Sequence, residues 1–286
     1  MRTRTDVVNR FGPVASETIS EFERAIRSVR RAGGDPTVWF DGAVREGWDI
    51  GGNANGGYLL ALAGRAMAEV AGRAPLTVTG HYLAPAPAGP CTIEIRPVRV
   101  GRRMATMSAT LRQGDRAIIE VLGTFAEQSA DEPSLLIDGE PPAIPAYEEC
   151  ELPPGADEGP LPAINDRLAV RLRPGDGGFR TDQPSGRAEI GGWFAFADGA
   201  PVDAVGLLLV ADALAPPVFN TELPVGWVPT LELTVHVRGV PAPGPLRCWF
   251  RSRFIFGGLL EEDGEIWDSS GALVAQSRQL ALTPRE

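Results

Sequence analysis

The chain has 286 residues, 43% of them hydrophobic and 22% charged, which is ample material for a folded core. All 27 basic residues are arginine, so chemistry that needs a Schiff-base lysine, a pyridoxal-phosphate lysine or a P-loop lysine is excluded. Only two histidines, His81 and His236, are present, which excludes multi-histidine metal sites, and a net charge of −10 repels nucleic acid.

Three cysteines, Cys91, Cys150 and Cys248, lie far apart without CxxC spacing. That suits a reducing compartment and argues against both a disulfide framework and a zinc centre. The amino terminus lacks the apolar core of a signal peptide, and the longest apolar runs are too short to cross a bilayer. A cytoplasmic protein without membrane insertion is expected.

Residues 14–31 have Ile19, Phe22, Ile26 and Val29 at helical steps and predict an amphipathic helix stopped by Gly33 and Gly34. A short strand is expected at 37–40, then a Gly/Asn turn at 51–57 and an apolar helix from Tyr58 to about Val70. Four strand-like runs follow at 76–83, 91–100, 104–113 and 116–126, each bounded by turn residues. One strand, one buried helix and four antiparallel strands is the order of a hotdog domain. Eight prolines between 127 and 163 mark a connecting segment.

Beyond it the pattern restarts. Strand-like runs at 169–173 and 188–197 precede an apolar helix at 202–215, ended by Pro216 and Pro217. Runs at 230–238, 246–256, 259–267 and 272–282 complete the second set. The segments 81–90 and 236–245 align without a gap, each starting on a histidine and ending on Gly-Pro. The fold class expected is α+β, as two tandem hotdog domains: residues 1–130 with a preceding helix, a linker at 131–163, and residues 164–286.

At this point the chain resembles the type II acyl-CoA thioesterases, which carry two hotdog domains in one polypeptide. In the first half the likeness rests on Asn55-Gly56-Gly57-Tyr58-Leu59-Leu60 and on His81-Tyr82-Leu83-Ala84-Pro85. In the second it rests on Asp212, on Pro229-Thr230-Leu231-Glu232-Leu233, and on the run from Val274 to Gln279. The resemblance implies that Asp212, Thr230 and Gln279 are the catalytic positions and acyl-CoA the substrate, with no cofactor. It departs at Ala211 and Ala213, where well-known members have Ser and an aromatic residue.

The chemistry is consistent with those residue types. A thioester is a reactive acyl donor, so hydrolysis needs an oriented water, a place for its proton and stabilisation of the oxyanion. On this reading Asp212 takes the proton, while the Thr230 hydroxyl and Gln279 amide orient the water. Asp212 follows the most apolar part of its helix, where a carboxylate is costly unless paired or neutral. Thr230 also reads as an ordinary strand residue, and Gln279 as part of a solvated strand face. Gly56 and Gly57 open a helix whose free N–H groups attract negative charge, and Gly57, helped by Asn55, would polarise the thioester carbonyl, the three forming a substrate-binding set. A Gly-Gly turn into a crowded helix is the other reading of that motif.

Arg102 and Arg103, with Arg251 and Arg253, are candidates for the phosphates of coenzyme A. The two histidines, equivalent in the repeats, read as structural. The absence of GxSxG and GxGxxG excludes a nucleophile elbow and a dinucleotide fingerprint. Two alternatives stand beside the hydrolase: a hotdog hydratase or dehydratase, which needs a helix histidine, and a non-catalytic acyl-CoA-binding protein. Homo-oligomerisation through the outer sheet surfaces is open.

Overall fold

The computed structural model describes residues 19–33, 36–127, 138–152 and 161–284. The first half comprises α1 (Glu21–Ala25), β1 (Val29–Arg30), β2 (Val38–Val44), β3 (Asp49–Ile50), β4 (Asn53–Ala54), α2 (Gly56–Ala71), β5 (Ala74–Tyr82), β6 (Gly89–Val100), β7 (Met104–Gln113) and β8 (Arg116–Ala126). The second comprises β9 (Arg171–Leu172), β10 (Glu189–Phe194), α3 (Gly206–Val210), β11 (Thr230–Val237), β12 (Leu246–Arg251), β13 (Ile255–Phe256), β14 (Leu259–Trp267) and β15 (Leu273–Leu282).

The helix α2 is apolar almost all round, with Tyr58, Leu60, Leu62 and Met67 fully buried. Such a helix can only be central, and it packs on β5, β6, β7, β8 and α3. Each of those large side chains contributes roughly 1.5–3 kcal/mol by leaving water. Asn55 caps the helix, its Oδ1 accepting the Tyr58 N–H at 2.9 Å. Gly72, at φ 64°, ends it in the left-handed conformation that side chains resist.

Apart from the β3–β4 pair, the strands form one antiparallel sheet in the order β1-β2-β6-β7-β8-β5-β11-β15-β14-β12-β10-β9, with β13 paired to β14. The two repeats meet at the β5–β11 seam, where Thr79 lies opposite Thr234. Their hydroxyls bond at 2.8 Å across a separation of 155 residues, the spacing that also relates His81 to His236. A pseudo-two-fold axis therefore passes between the threonines, and each half is a curled sheet on its own helix, as the hotdog order requires.

Three expectations need correction. The amino-terminal helix spans only Glu21–Ala25 among the described residues, and its expected start at 14 and stop at Gly34 lie outside them. Phe22 and Ile26 are buried, but Val29 is 65% exposed and belongs to β1, whose pairing with β2 outcompetes further winding. The second apolar helix is also shorter than 202–215. Its hydrogen bonds tighten at the end, from Ala211 N–H to Leu207 O, then from Asp212 N–H to Leu209 O.

Finally, residues 138–152 of the expected linker pack on the second domain. Ile144 and Cys150 are buried, Trp193 Nε1 donates to Pro145 O at 2.8 Å, and Glu151 bridges Leu172.

Candidate active site

A cavity of about 520 Å³ opens where the amino terminus of α2 meets the end of α3 and the β11–β15–β14 strands. Its walls are mainly apolar, with Leu59, Phe179, Leu214, Phe219 and Trp227 among them. A few polar side chains converge on it, as in small-molecule sites generally. Asp212, Thr230 and Gln279 all line it.

Asp212 leaves α3 at its carboxyl end, where the helix offers no free N–H. It turns instead to α2. Its Oδ2 accepts the Gly57 N–H at 2.8 Å and Asn55 Nδ2 at 2.9 Å, and Asn55 Nδ2 also donates to the Asp212 carbonyl at 2.8 Å. The approach is close because Gly57 has no side chain: a Cβ there would lie 2.8 Å from the carbonyl oxygens of Leu208 and Leu209. Burial pushes the Asp212 carboxyl up to about 6, opposed by the hydrogen bonds from Gly57, Asn55 and Gly56. It stays ionised at neutral pH yet is far more basic than an exposed aspartate.

Tyr82 reinforces the arrangement by donating to the Gly56 carbonyl at 2.8 Å. Burial, with the charges of Asp212 and Glu232, holds its hydroxyl protonated. Thr230 stands at the start of β11 beside a bulge that separates it from the regular pairing of Glu232. Gln279 is 4% exposed, and its Oε1 has no hydrogen-bond partner among the described residues.

The sequence placed Asn55 and Gly57 on the thioester carbonyl; here their donors are spent on Asp212, so they hold the acid. Gly56 lines the cavity with them. Arg102 and Arg103 do not belong to this site. They are exposed on the β6–β7 turn, where Arg73, just after α2, donates to the Arg102 carbonyl at 3.0 Å. That is the opposite end of a 16-residue helix, roughly 24 Å from Asn55. Arg253 is paired with Asp263, and Arg251 stacks on Trp249. The arginine that lines the cavity is Arg180. Both histidines are exposed and outside the lining.

Sequence reasoning missed Tyr82, Arg180 and Glu262 as lining residues. Glu262 was legible: it falls between Leu260 and Ile266 in the alternation of β14, and both of those are buried.

Comparison with known proteins agrees with this fold. Residues 44–126 match the model of the acyl-CoA thioesterase N-terminal domain, and residues 147–283 match that of the acyl-CoA thioesterase C-terminal domain. An uncharacterized protein of Mycobacterium tuberculosis is 29% identical, over 92% of this chain and 97% of its own. A crystal structure of a candidate thioesterase II from Thermobifida fusca superposes with a TM-score of 0.83 at 28% identity, covering 93% of this chain and 98% of that one. An acyl-CoA thioesterase II of Mycobacterium marinum shares the fold at 17% identity, with a TM-score of 0.67 over 93% of this chain and 98% of its own. With both domain models matched in tandem and a double-hotdog sheet between them, the chain belongs to the acyl-CoA thioesterase family of type II, double-hotdog proteins.

Proposed function

We propose that the protein hydrolyses acyl-CoA thioesters to a free acid and coenzyme A, with Asp212 as the base and Thr230 and Gln279 orienting the water. The observation that carries this reading is the Asp212 carboxylate, held by the amino terminus of α2 at the wall of an apolar cavity and raised to about 6. A base tuned toward neutrality can take a proton from water as the oxygen bonds to the carbonyl carbon. The carbon–sulfur bond then breaks, and the proton leaves Asp212 for the thiolate. A hydratase would need a histidine at the reacting carbon, and neither histidine reaches the cavity.

Thiol release from a panel of acyl-CoAs, short to long, tests the reading. Cleavage of at least one supports it and gives the chain length that the cavity accepts. If no thioester is cleaved while acyl-CoA raises the melting temperature, the protein is a binding module.

Asn55 offers a second check, because it serves both the helix and the acid. Asn55→Ala should cost about 1 kcal/mol as a lost cap, lowering the melting temperature by roughly 2–4 °C. It should also move the acid limb of the pH–rate profile upward, since Asn55 is one of the groups that hold the Asp212 carboxyl down. An unmoved limb would detach Asn55 from the base.

A further inference from the structure

Glu262 takes no part in the reaction as written, yet it lies in the same cavity as Asp212, Thr230 and Gln279. It is 7% exposed, in the middle of β14, directly across from Gln279 in β15. Its neighbours point to the other face and have partners. Glu261 accepts the N–H groups of Arg253 and Phe254 at 2.7 and 3.0 Å, and Asp263 pairs with Arg278 and Arg253. Glu262 has no such partner among the described residues.

The charges that act on it, from Asp212 at the end of α3 and from Glu261 and Asp263 on its own strand, are all acids. Among the described residues, the other titratable or charged groups lining the cavity are Tyr82, held neutral, and Arg180. A buried carboxylate without a cation or donors costs several kcal/mol, so this group keeps its proton. Burial and the Asp212 charge accordingly hold it well above the ordinary carboxyl range. A protonated carboxyl is a hydrogen-bond donor, which a carboxylate is not.

The two acids of the cavity are thus unlike. Asp212 receives hydrogen bonds from Gly57 and Asn55 and is ionised; Glu262 receives none and is neutral. Environments that separate two carboxyls in this way assign one as base and the other as acid. Three donors beside Asp212 are already engaged, Gly57 and Asn55 with Asp212 and the Tyr82 hydroxyl with Gly56, and on the reading above the lining residues Thr230 and Gln279 serve the water.

We propose that Glu262 is a further catalytic residue, whose O–H donates a hydrogen bond to the thioester carbonyl oxygen while Asp212 receives the proton of the attacking water. This rests on the thioesterase reading. As the water oxygen bonds to carbon, the carbonyl π pair moves onto the oxygen facing Glu262. When the pair returns, the carbon–sulfur bond breaks, and the departing thiolate takes the proton held by Asp212. Glu262 begins and ends the cycle protonated.

The test compares wild type, Glu262→Leu and Glu262→Gln in kcat, KM and pH–rate profile. Melting curves establish that each is folded. Leu keeps the volume without a donor, and kcat should fall by about 10²-fold with KM little changed, the size of a lost oxyanion donor. Gln keeps a neutral donor and should restore most of the rate. Wild type should show an alkaline limb as Glu262 loses its proton, and that limb should vanish in Glu262→Gln while the acid limb of Asp212 remains.

Wild-type kcat in Glu262→Leu, or an alkaline limb that persists in Glu262→Gln, overturns the proposal alone. Failure of the wild type to cleave any acyl-CoA removes the thioesterase reading and this role with it. Infrared difference spectra at neutral pH read the proton independently: a neutral-carboxyl band should be present in wild type and lost in Glu262→Gln. Its absence from wild type overturns the proposal whatever the kinetics.

Discussion

Asp212→Asn is expected to lower thioester cleavage by about 10²-fold or more while leaving the fold intact, the size of effect that a lost general base produces. The amide keeps an oxygen to accept from Gly57 and Asn55 but cannot take a proton. In wild type the rate should be half-maximal near pH 6, where Asp212 titrates, and fall about tenfold per pH unit well below it.

Stability runs the other way. The folded state holds the carboxyl at about 6 against an ordinary 3.8, so it prefers the protonated form. The contribution of this group is most favourable below about pH 4 and declines as pH rises toward 6, by on the order of 3 kcal/mol. Asp212→Asn removes that penalty and should raise the melting temperature by several degrees at pH 8, a gain purchased with activity. A variant that melts lower at pH 8, or retains full activity, would contradict the assigned role.

Gly57→Ala is the second large effect. The added methyl would sit 2.8 Å from the carbonyl oxygens of Leu208 and Leu209 and 2.9 Å from the Asp212 Cβ. Two of these are backbone atoms of a packed helix, so α2 and α3 must separate. Overpacking of this kind costs about 1–3 kcal/mol and should lower the melting temperature by several degrees. The same displacement lengthens the Gly57–Asp212 hydrogen bond, and misplacing the base should reduce kcat by up to about 10²-fold.

Gly64→Ala is the matched control. Its methyl meets only Leu208 Cδ1, the end of a side chain that can rotate, so it should cost less stability and leave kcat near wild type. Equal losses in both variants would show that helix packing in general, and not the seat of Asp212, is what Gly57 protects.

The strands were legible because one face of each is buried. The expected runs at 104–113 and 116–126 coincide with β7 and β8, and that at 91–100 falls two residues short of the start of β6, since turn residues bracket a clean alternation. The helix ends were not legible. The residues from Val205 to Ala211 are buried all round, so periodicity gives no sign that the coil tightens and stops at Asp212. The amino-terminal segment carried a helical spacing of which only Phe22 and Ile26 are used in the core.

Asp212, Thr230 and Gln279 came from resemblance, and their presence in one cavity is a matter of topology that no local pattern encodes. The roles of Asn55 and Gly57 turned on whether their N–H groups were free, which depends on a residue 155 positions away. Glu262 was legible only through the alternation of β14: Glu261, Glu262 and Asp263 read as a solvated acidic run unless each side chain is assigned to a face.

The seam between β5 and β11 fixes more than a shape. At the 155-residue spacing that relates the two repeats, the place of Asp212 is held in the first half by Gly57, the residue whose N–H it accepts. Two identical hotdog chains could not carry aspartate at that place in one partner and glycine in the other. A single polypeptide can, so the protein is in effect a heterodimer encoded once: one half lends a helix amino terminus and the other lends the acid. Because the halves share a chain, their encounter is intramolecular, and dilution cannot part the base from the N–H groups that seat it.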